Sequence, residues 1–255
     1  MPFDLVTIPC LSDNYAFALR DHESGKVALI DIPEAGPILA ELDARGWTLS
    51  QIWITHHHDD HVQGLGDVLQ KHPAEVIGAS ADAHRLPALD REVAEGDSFD
   101  LGTLTVQVLD VSGHTMGHIA FYVPGAQAAF TADSLMALGC GRLFEGDAAR
   151  MWDSMQKLMA LPAETTICSG HEYTAGNAKF ALTVDPDNPD LISRSKDIET
   201  ARADGRPTVP SDLSTELKTN PFLRPADPAI RATLGMQTAS DAEVFAEIRK
   251  RKDGF

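Results

Sequence analysis

The chain has 255 residues, 21 Lys plus Arg against 38 Asp plus Glu, a formal net charge of −17, and a composition that is 43% hydrophobic and 23% charged. These figures predict one large domain, or one domain with a smaller appendage, and exclude wholesale disorder. They also exclude a surface built for nucleic acid or an anionic membrane, because both need clustered cations; a small anionic substrate remains compatible if the few cations are concentrated around it.

The first ten residues carry no basic segment followed by a long apolar run, so no secretory signal is predicted. No window approaches the ~18 consecutive apolar residues of a membrane span. Cys10, Cys140 and Cys168 are too few and too scattered for a disulfide framework or a thiolate zinc site. A soluble protein of the cytoplasm is expected, and nothing in the chain demands more than a monomer.

Short apolar segments bounded by Gly, Pro, Asp or Ser predict strands at 5–8, 15–19, 27–31, 51–55, 75–79, 104–109, 118–123, 129–132 and 165–168. Between them, apolar residues three and four apart predict helices at 36–45, 61–71 and 148–160. Interleaved strands and helices give an α/β layered core. After residue 171 the texture changes: helices are predicted at 172–183, 192–203, 212–218, 228–234 and 241–251, with no convincing strand. The expected division is therefore 1–170 for an α/β domain and 171–255 for an all-helical one.

The last helix opens with Ser240 and Glu243 in a capping-box pattern and closes on Arg249-Lys250-Arg251-Lys252. Arg249 and Lys252 flank the face that carries Phe245, and two cations beside an anchoring aromatic could clamp an anion. The plainer alternative is a solvated helix end whose cations suit the C-terminal dipole.

The densest chemistry lies directly after the strand at 51–55, in Thr55-His56-His57-His58-Asp59-Asp60-His61. In extended chain, positions i and i+2 project to one side, so His56 and His58 can reach one ion. Asp60 and His61, at the start of a helix, can reach a second. Imidazole and carboxylate suit zinc, iron or manganese. Seven residues cannot fill two coordination spheres, and His114, Asp133 and His171, each placed just after a strand, offer the remaining ligands. His22, His72 and His84 stand alone and read as ordinary core or surface histidines.

Thr-His-x-His-x-Asp-His resembles the signature of the metallo-β-lactamase superfamily, whose fold is a four-layer αββα sandwich. Further stretches narrow the resemblance to the glyoxalase II (hydroxyacylglutathione hydrolase) family: Ser12-Asp13-Asn14-Tyr15, Gly113-His114-Thr115-Met116-Gly117-His118, Phe130-Thr131-Ala132-Asp133, Gly139-Cys140-Gly141-Arg142, Ser169-Gly170-His171-Glu172-Tyr173-Thr174 and Asn220-Pro221-Phe222-Leu223-Arg224. The resemblance covers essentially the whole chain.

It implies a metal-dependent thioesterase that hydrolyses S-D-lactoylglutathione and other S-2-hydroxyacylglutathiones in methylglyoxal detoxification. His56, His58 and His114 would bind one divalent metal. Asp60, His61 and His171 would bind the other, with Asp133 bridging. Zinc is the first choice for both ions, and iron or manganese would also suit. A hydroxide held between the two ions would be the nucleophile, with Asp60 and Asp133 as the catalytic carboxylates. The S-acylglutathione would be held by Arg142, Phe144, Tyr173, Asn177, Arg249 and Lys252. Arg142 stands where many members carry Lys, and Phe144 where many carry Tyr. His57, Asp59 and His118 would be non-ligands, and Cys140 an inert buried thiol. The competing reading on the same fold is a mononuclear-iron glutathione persulfide dioxygenase, a class that generally lacks the long helical domain ending in Arg-x-x-Lys.

Overall fold

The computed structural model describes residues 2–255. The chain divides into two compact units, one running to Asp110 and resuming over Met116–Ala132, the other made of Val111–Thr115 and Asp133–Phe255.

In the first unit, β1 (Phe3–Cys10) and β2 (Asn14–Asp21) form an antiparallel hairpin with Phe3 opposite Asp21, and β3 (Val27–Ile30) pairs antiparallel with β2. Helix α1 (Ala35–Arg45) then carries the chain to β4 (Gln51–Trp53), which is parallel to β3. Helices α2 (Asp59–Val62) and α3 (Leu65–Lys71) lead to β5 (Glu75–Ala79), and β6 (Arg91–Val93) closes this sheet in parallel with β5. The β3 and β4 strands are buried along their whole length, as strands covered on both faces require. A second sheet runs as an antiparallel meander, β7 (Ser98–Leu101), β8 (Leu104–Asp110), β9 (Ile119–Val123) and β10 (Ala128–Ala132).

The two sheets meet through aromatic rings. Trp53 on β4 lies 5.4 Å from Phe99, 5.3 Å from Phe121 and 6.0 Å from Phe130, centroid to centroid, and Phe17 on β2 lies 5.9 Å from Phe130. Its indole N–H donates to the Gln51 side chain at 3.0 Å, so burial leaves no orphan donor. Each such ring contributes about 1.5–3 kcal/mol by leaving water. This core fixes the end of β4, where the histidine loop begins.

Apolar spacing predicts one helix over 61–71, but the structure breaks it after Val62 and restarts it at Leu65. A Cβ on Gly64 would stand 2.9 Å from the Ala35 nitrogen and 3.0 Å from Ile32, and the Gly64 N–H donates to the Ile32 carbonyl at 2.9 Å. The chain bends there to reach Ile32, which periodicity cannot reveal. Strands β6 and β7 also went unpredicted, being short and largely charged or exposed on alternate residues.

The second unit begins with a small hairpin, β11 (Leu135–Met136) and β12 (Gly139–Cys140), followed by α4 (Ala148–Met159) and β13 (Thr166–Ser169). Next come α5 (Thr174–Val184) and α6 (Pro189–Ala203), the latter with Asn188 capping and Pro189 in the first helical position. Beyond residue 171 a strand does occur, the two-residue β14 (Ser211–Asp212), paired antiparallel with β13. Helices α7 (Leu213–Thr219), α8 (Pro228–Leu234) and α9 (Asp241–Asp253) complete the unit, and the Ser240–Glu243 capping box is present. Leu138, Ala178, Ala181, Leu191 and Ile198 form one apolar cluster. Phe180, Phe222, Phe245 and Trp152 form a chain of ring contacts beside it.

Candidate metal centre

Thr55, at the end of β4, is tied to Asp31 by two hydrogen bonds, from its N–H at 2.9 Å and from its hydroxyl at 2.8 Å. The Thr55 hydroxyl proton is thereby committed, so the oxygen accepts from Nδ1–H of His56 at 3.0 Å. Asp31 also accepts from Nδ1–H of His61 at 2.8 Å. One buried carboxylate thus sets the tautomer of two imidazoles, His61 directly and His56 through Thr55, and leaves each Nε2 as a lone-pair donor. Asp31 adopts φ 56°, an unusual backbone for a residue other than glycine, and its side chain repays that with three hydrogen bonds.

Nε2 of His56 lies 3.2 Å from Nδ1 of His58. The Asp60 carboxylate accepts from the Asn14 amide at 3.1 Å, and its backbone carbonyl accepts from the same amide. His57 turns elsewhere: its Nδ1 meets the buried carboxylate of Asp82 at 3.2 Å, which also pairs with Arg85 at 2.6 Å. Asp82 sits so close to Gly117 that a Cβ there would stand 2.1 Å from its carboxyl carbon. Asp59 is exposed, and His118 stacks on His56 at 4.6 Å with planes 12° apart. All three residues expected to be non-ligands stand outside the ligand groups described below.

In the second unit, Nδ1–H of His114 donates to the Arg142 carbonyl at 2.8 Å, again leaving Nε2 as the donor. One oxygen of Asp133 stands 3.5 Å from Nε2 of His114 and 3.3 Å from Nε2 of His171. Aromatic rings cover the imidazoles: Tyr173 stacks parallel on His171 at 4.6 Å, and Phe144 meets His114 edge-on at 5.2 Å.

Three sets of ligand atoms lie within 4.8 Å of one another: His56, His58 and His114; His56, His61 and Asp133; Asp60, His61 and His171. All seven expected ligands occur in these sets. Two donors on one tetrahedral ion with bonds of about 2.0–2.2 Å stand about 3.3–3.6 Å apart. The 3.3 and 3.5 Å separations above fall in that range and the 3.2 Å one just below it, and the donor set is the mixed imidazole and carboxylate type that divalent metals accept. The residues therefore fit metal ions.

The residues expected to hold substrate divide into two kinds. Arg142, Phe144 and Tyr173 are exposed, Phe144 by 62%. Lys252 is half-buried, 5.3 Å from the ring centroids of both Phe180 and Phe255, and burial, then Arg249 and Arg142, lower its pKa. Arg249 and Asn177 are different. Arg249 is 4% exposed, with Nε and Nη2 on Asp253 at 3.1 and 2.8 Å and Nη1 on the Cys140 carbonyl at 2.8 Å. The Asn177 amide donates to the Ala137 carbonyl at 3.0 Å. Cys140 is buried, and desolvation pushes its thiol up to about 11 despite Arg249 beside it, which keeps it unreactive.

Two family models match the chain: the metallo-beta-lactamase superfamily over residues 14–171, and the hydroxyacylglutathione hydrolase C-terminus over 172–255. A hydroxyacylglutathione hydrolase of Roseobacter denitrificans is 68% identical over 255 residues, covering 100% of both chains. The chain belongs to the hydroxyacylglutathione hydrolase family. Its fold is that of the metallo-β-lactamase superfamily with a C-terminal helical region. Among solved structures, ETHE1 from Myxococcus xanthus superposes with a TM-score of 0.67 at 24% identity, covering 98% of this chain and 90% of that one, a likeness of fold alone. TTHA1623, crystallised in a di-iron-bound form, gives a TM-score of 0.63 at 25% identity over 86% of this chain and all of that one. For this family member, Asp31 and Asp82 are the residues that motif reading missed. Their only sequence signal is an Asp ending an apolar strand and an Asp three residues before an Arg.

Proposed function

We propose that this hydroxyacylglutathione hydrolase binds two divalent metal ions, zinc first among them, and hydrolyses S-D-lactoylglutathione and related S-2-hydroxyacylglutathiones to glutathione and a 2-hydroxy acid, the step that completes methylglyoxal detoxification. The observation that carries this reading is the family membership over the full chain together with the three ligand sets. His56, His58 and His114 would hold one ion, and Asp60, His61 and His171 the other. The single Asp133 oxygen within 3.5 Å of both His114 and His171 supports its bridging role.

When bound, such ions would polarise the thioester carbonyl and lower the pKa of water to about 7, so no Ser or Cys nucleophile is needed. The chain's own residues do the rest. Asp31 and the Arg142 carbonyl hold the imidazoles in one tautomer and orientation. Asn14 fixes the Asp60 carboxylate. Arg142 and Lys252 place positive charge where an anionic tripeptide would lie, which concentrates the substrate although the chain as a whole is acidic. Phe144 and Tyr173 would supply apolar contact. The leaving thiolate belongs to an ordinary thiol and requires no strong general acid. We further propose a cytoplasmic, monomeric enzyme; the three free, buried cysteines suit a reducing compartment.

The test is the fall in thioester absorbance when metal-replete protein meets S-D-lactoylglutathione, repeated after chelation. Rapid, chelator-sensitive loss supports the reading. No loss with metal bound overturns it, and oxygen uptake with glutathione persulfide would then identify the dioxygenase alternative.

A further inference from the structure

In the stretch Ser169-Gly170-His171-Glu172-Tyr173-Thr174, Glu172 is the charged side chain that neither the ligand sets nor the substrate reading uses. It stands between His171, a proposed ligand, and Tyr173, whose ring stacks on the His171 imidazole at 4.6 Å with planes 6° apart. Its own side chain is 5% exposed and is claimed from elsewhere. Thr208 donates to the Glu172 carboxylate twice, from its N–H at 2.8 Å and from its hydroxyl, and Nη1 of Arg202 donates at 3.3 Å. Hydrogen bonds to an ionised carboxylate are roughly twice as strong as neutral ones.

Thr208 is brought there by the way α6 ends. Gly205, at φ 71°, stops the helix: its N–H donates to the Arg202 carbonyl at 3.1 Å, and Arg206 N–H donates to the Ala201 carbonyl at 2.8 Å. Nη1 of Arg202 also reaches the Arg206 carbonyl at 2.8 Å, so this turn and Glu172 share a donor. From the turn the chain runs back along β13. Ile167 pairs with Ser211 and Thr166 with Asp212, and past the ladder Leu213 N–H donates to the Thr165 carbonyl at 2.9 Å and Ser214 N–H to the Ala163 carbonyl at 2.8 Å. Residues 208–214 are thus docked along 163–172. The β13–β14 ladder stops short of residues 170–173, and Glu172 is the fastening at that end.

We infer that Glu172 is a positioning residue: by fastening the His171–Tyr173 turn to Thr208 it sets His171 for metal and Tyr173 for the glutathione moiety at once. The inference rests on the proposed roles of those two neighbours. Because their rings lie face to face, a turn that shifts carries both. The carboxylate touches neither ion nor substrate and acts through one backbone step on either side.

Glu172→Gln keeps the length and shape of the side chain but replaces one acceptor oxygen by an NH2 that faces other donors. Thr208→Val is the milder variant: it deletes the hydroxyl donor and keeps the backbone N–H. Full-length proteins are stripped of metal and titrated with cobalt(II), and the visible spectrum of the bound ion is recorded. KM for S-D-lactoylglutathione is then measured at saturating cobalt, and Tm is recorded alongside.

Loss of a group bonded directly to a ligand typically weakens metal binding by about 10- to 100-fold; Glu172 acts one step further back, so Glu172→Gln should bind cobalt about three- to tenfold more weakly, with an altered spectrum. KM should rise by about threefold or more in the same variant, because a displaced Tyr173 weakens binding in ground and transition states alike. Thr208→Val should show smaller changes of the same kind. A lowered Tm with parent-like cobalt binding and KM makes the fastening purely structural and overturns the inference. So does a change in only one of the two readouts, since one carboxylate is held to serve both rings. If Glu172→Gln fails to fold, a parent-like Thr208→Val overturns it alone. The cobalt titration needs no substrate, so a parent protein that binds metal but cleaves no thioester would fail the proposed function while the titration still decides what Glu172 does for His171.

Discussion

The two halves of the proposed ligand set are built on opposite plans. His56, His58, Asp60 and His61 come from one seven-residue loop, and their orientation is governed by a single carboxylate, Asp31, at the end of a neighbouring strand. His114, Asp133 and His171 are scattered over 58 positions (171 − 114 + 1) and lean on backbone: the Arg142 carbonyl for His114, and a hairpin whose own groups are claimed by residues as distant as Arg249. A concentrated site has one point of failure, whereas a distributed one shares its support among several weaker contacts.

The contrast can be broken by substitution. His61→Ala removes a proposed ligand and should lower activity to the uncatalysed background with loss of bound metal, measured as metal content per chain; an active, fully loaded variant would refute the two-ion arrangement. Asp31→Asn leaves every ligand in place but unsettles two imidazoles at once, so metal affinity should drop by about 10- to 100-fold. No single side chain supporting His114, Asp133 and His171 should match that loss, and chelator competition on Asp31→Asn and Asn177→Ala side by side decides it. Gly141→Ala probes the distributed half. Its new methyl would meet the Asp133 carbonyl at 1.9 Å, so the backbone must shift at a cost of about 1–3 kcal/mol, read as a lowered Tm with weaker metal binding.

The smallest effect belongs to a carboxylate that serves neither ligand set. Burial opposes the ionisation of Asp21, yet hydrogen bonds from Ser24, Thr103 and Glu23 outweigh it and hold its pKa well below the usual carboxylate range. Its contribution to stability is present above the unfolded-state value and is lost as pH falls from about 4 towards the depressed folded value. Asp21→Asn should therefore lower Tm at pH 7, with the gap to the parent closing in acid. A gap independent of pH would refute this account.

The same contrast governs what could be read from the sequence. The loop at 55–61 announced itself because four histidines and two aspartates in seven positions have no ordinary structural use, and strand periodicity places alternate residues together. The α/β layering and the helical character beyond residue 171 followed from apolar spacing. His114, Asp133 and His171 could be offered as ligands by position, but their sharing between ions rested on family resemblance, since nothing local marks it. Asp31 and Asp82 were invisible because a carboxylate that orients a histidine looks like any strand-end or turn Asp. Arg249 illustrates contacts that spacing cannot foresee. Helical spacing placed it beside Phe245, but could not say that Asp253, one turn on, and a carbonyl 109 residues away would occupy its donors.

That separation of 109 residues also bears on the order of folding. The hydrogen bonds that Asp31 accepts from Thr55 and His61 close loops of 24 and 30 residues, while the Asn220 and Arg249 contacts close loops of 84 and 109. Longer loops cost more entropy to close and, in a chain emerging from its N-terminus, wait for sequence not yet made. The compact histidine loop can take its shape while the hairpin beside Asp133 still lacks the helices that hold it. A metal arriving early would meet the four proposed ligands of that loop already aligned, while the hairpin beside Asp133 still awaited Asn220 and Arg249.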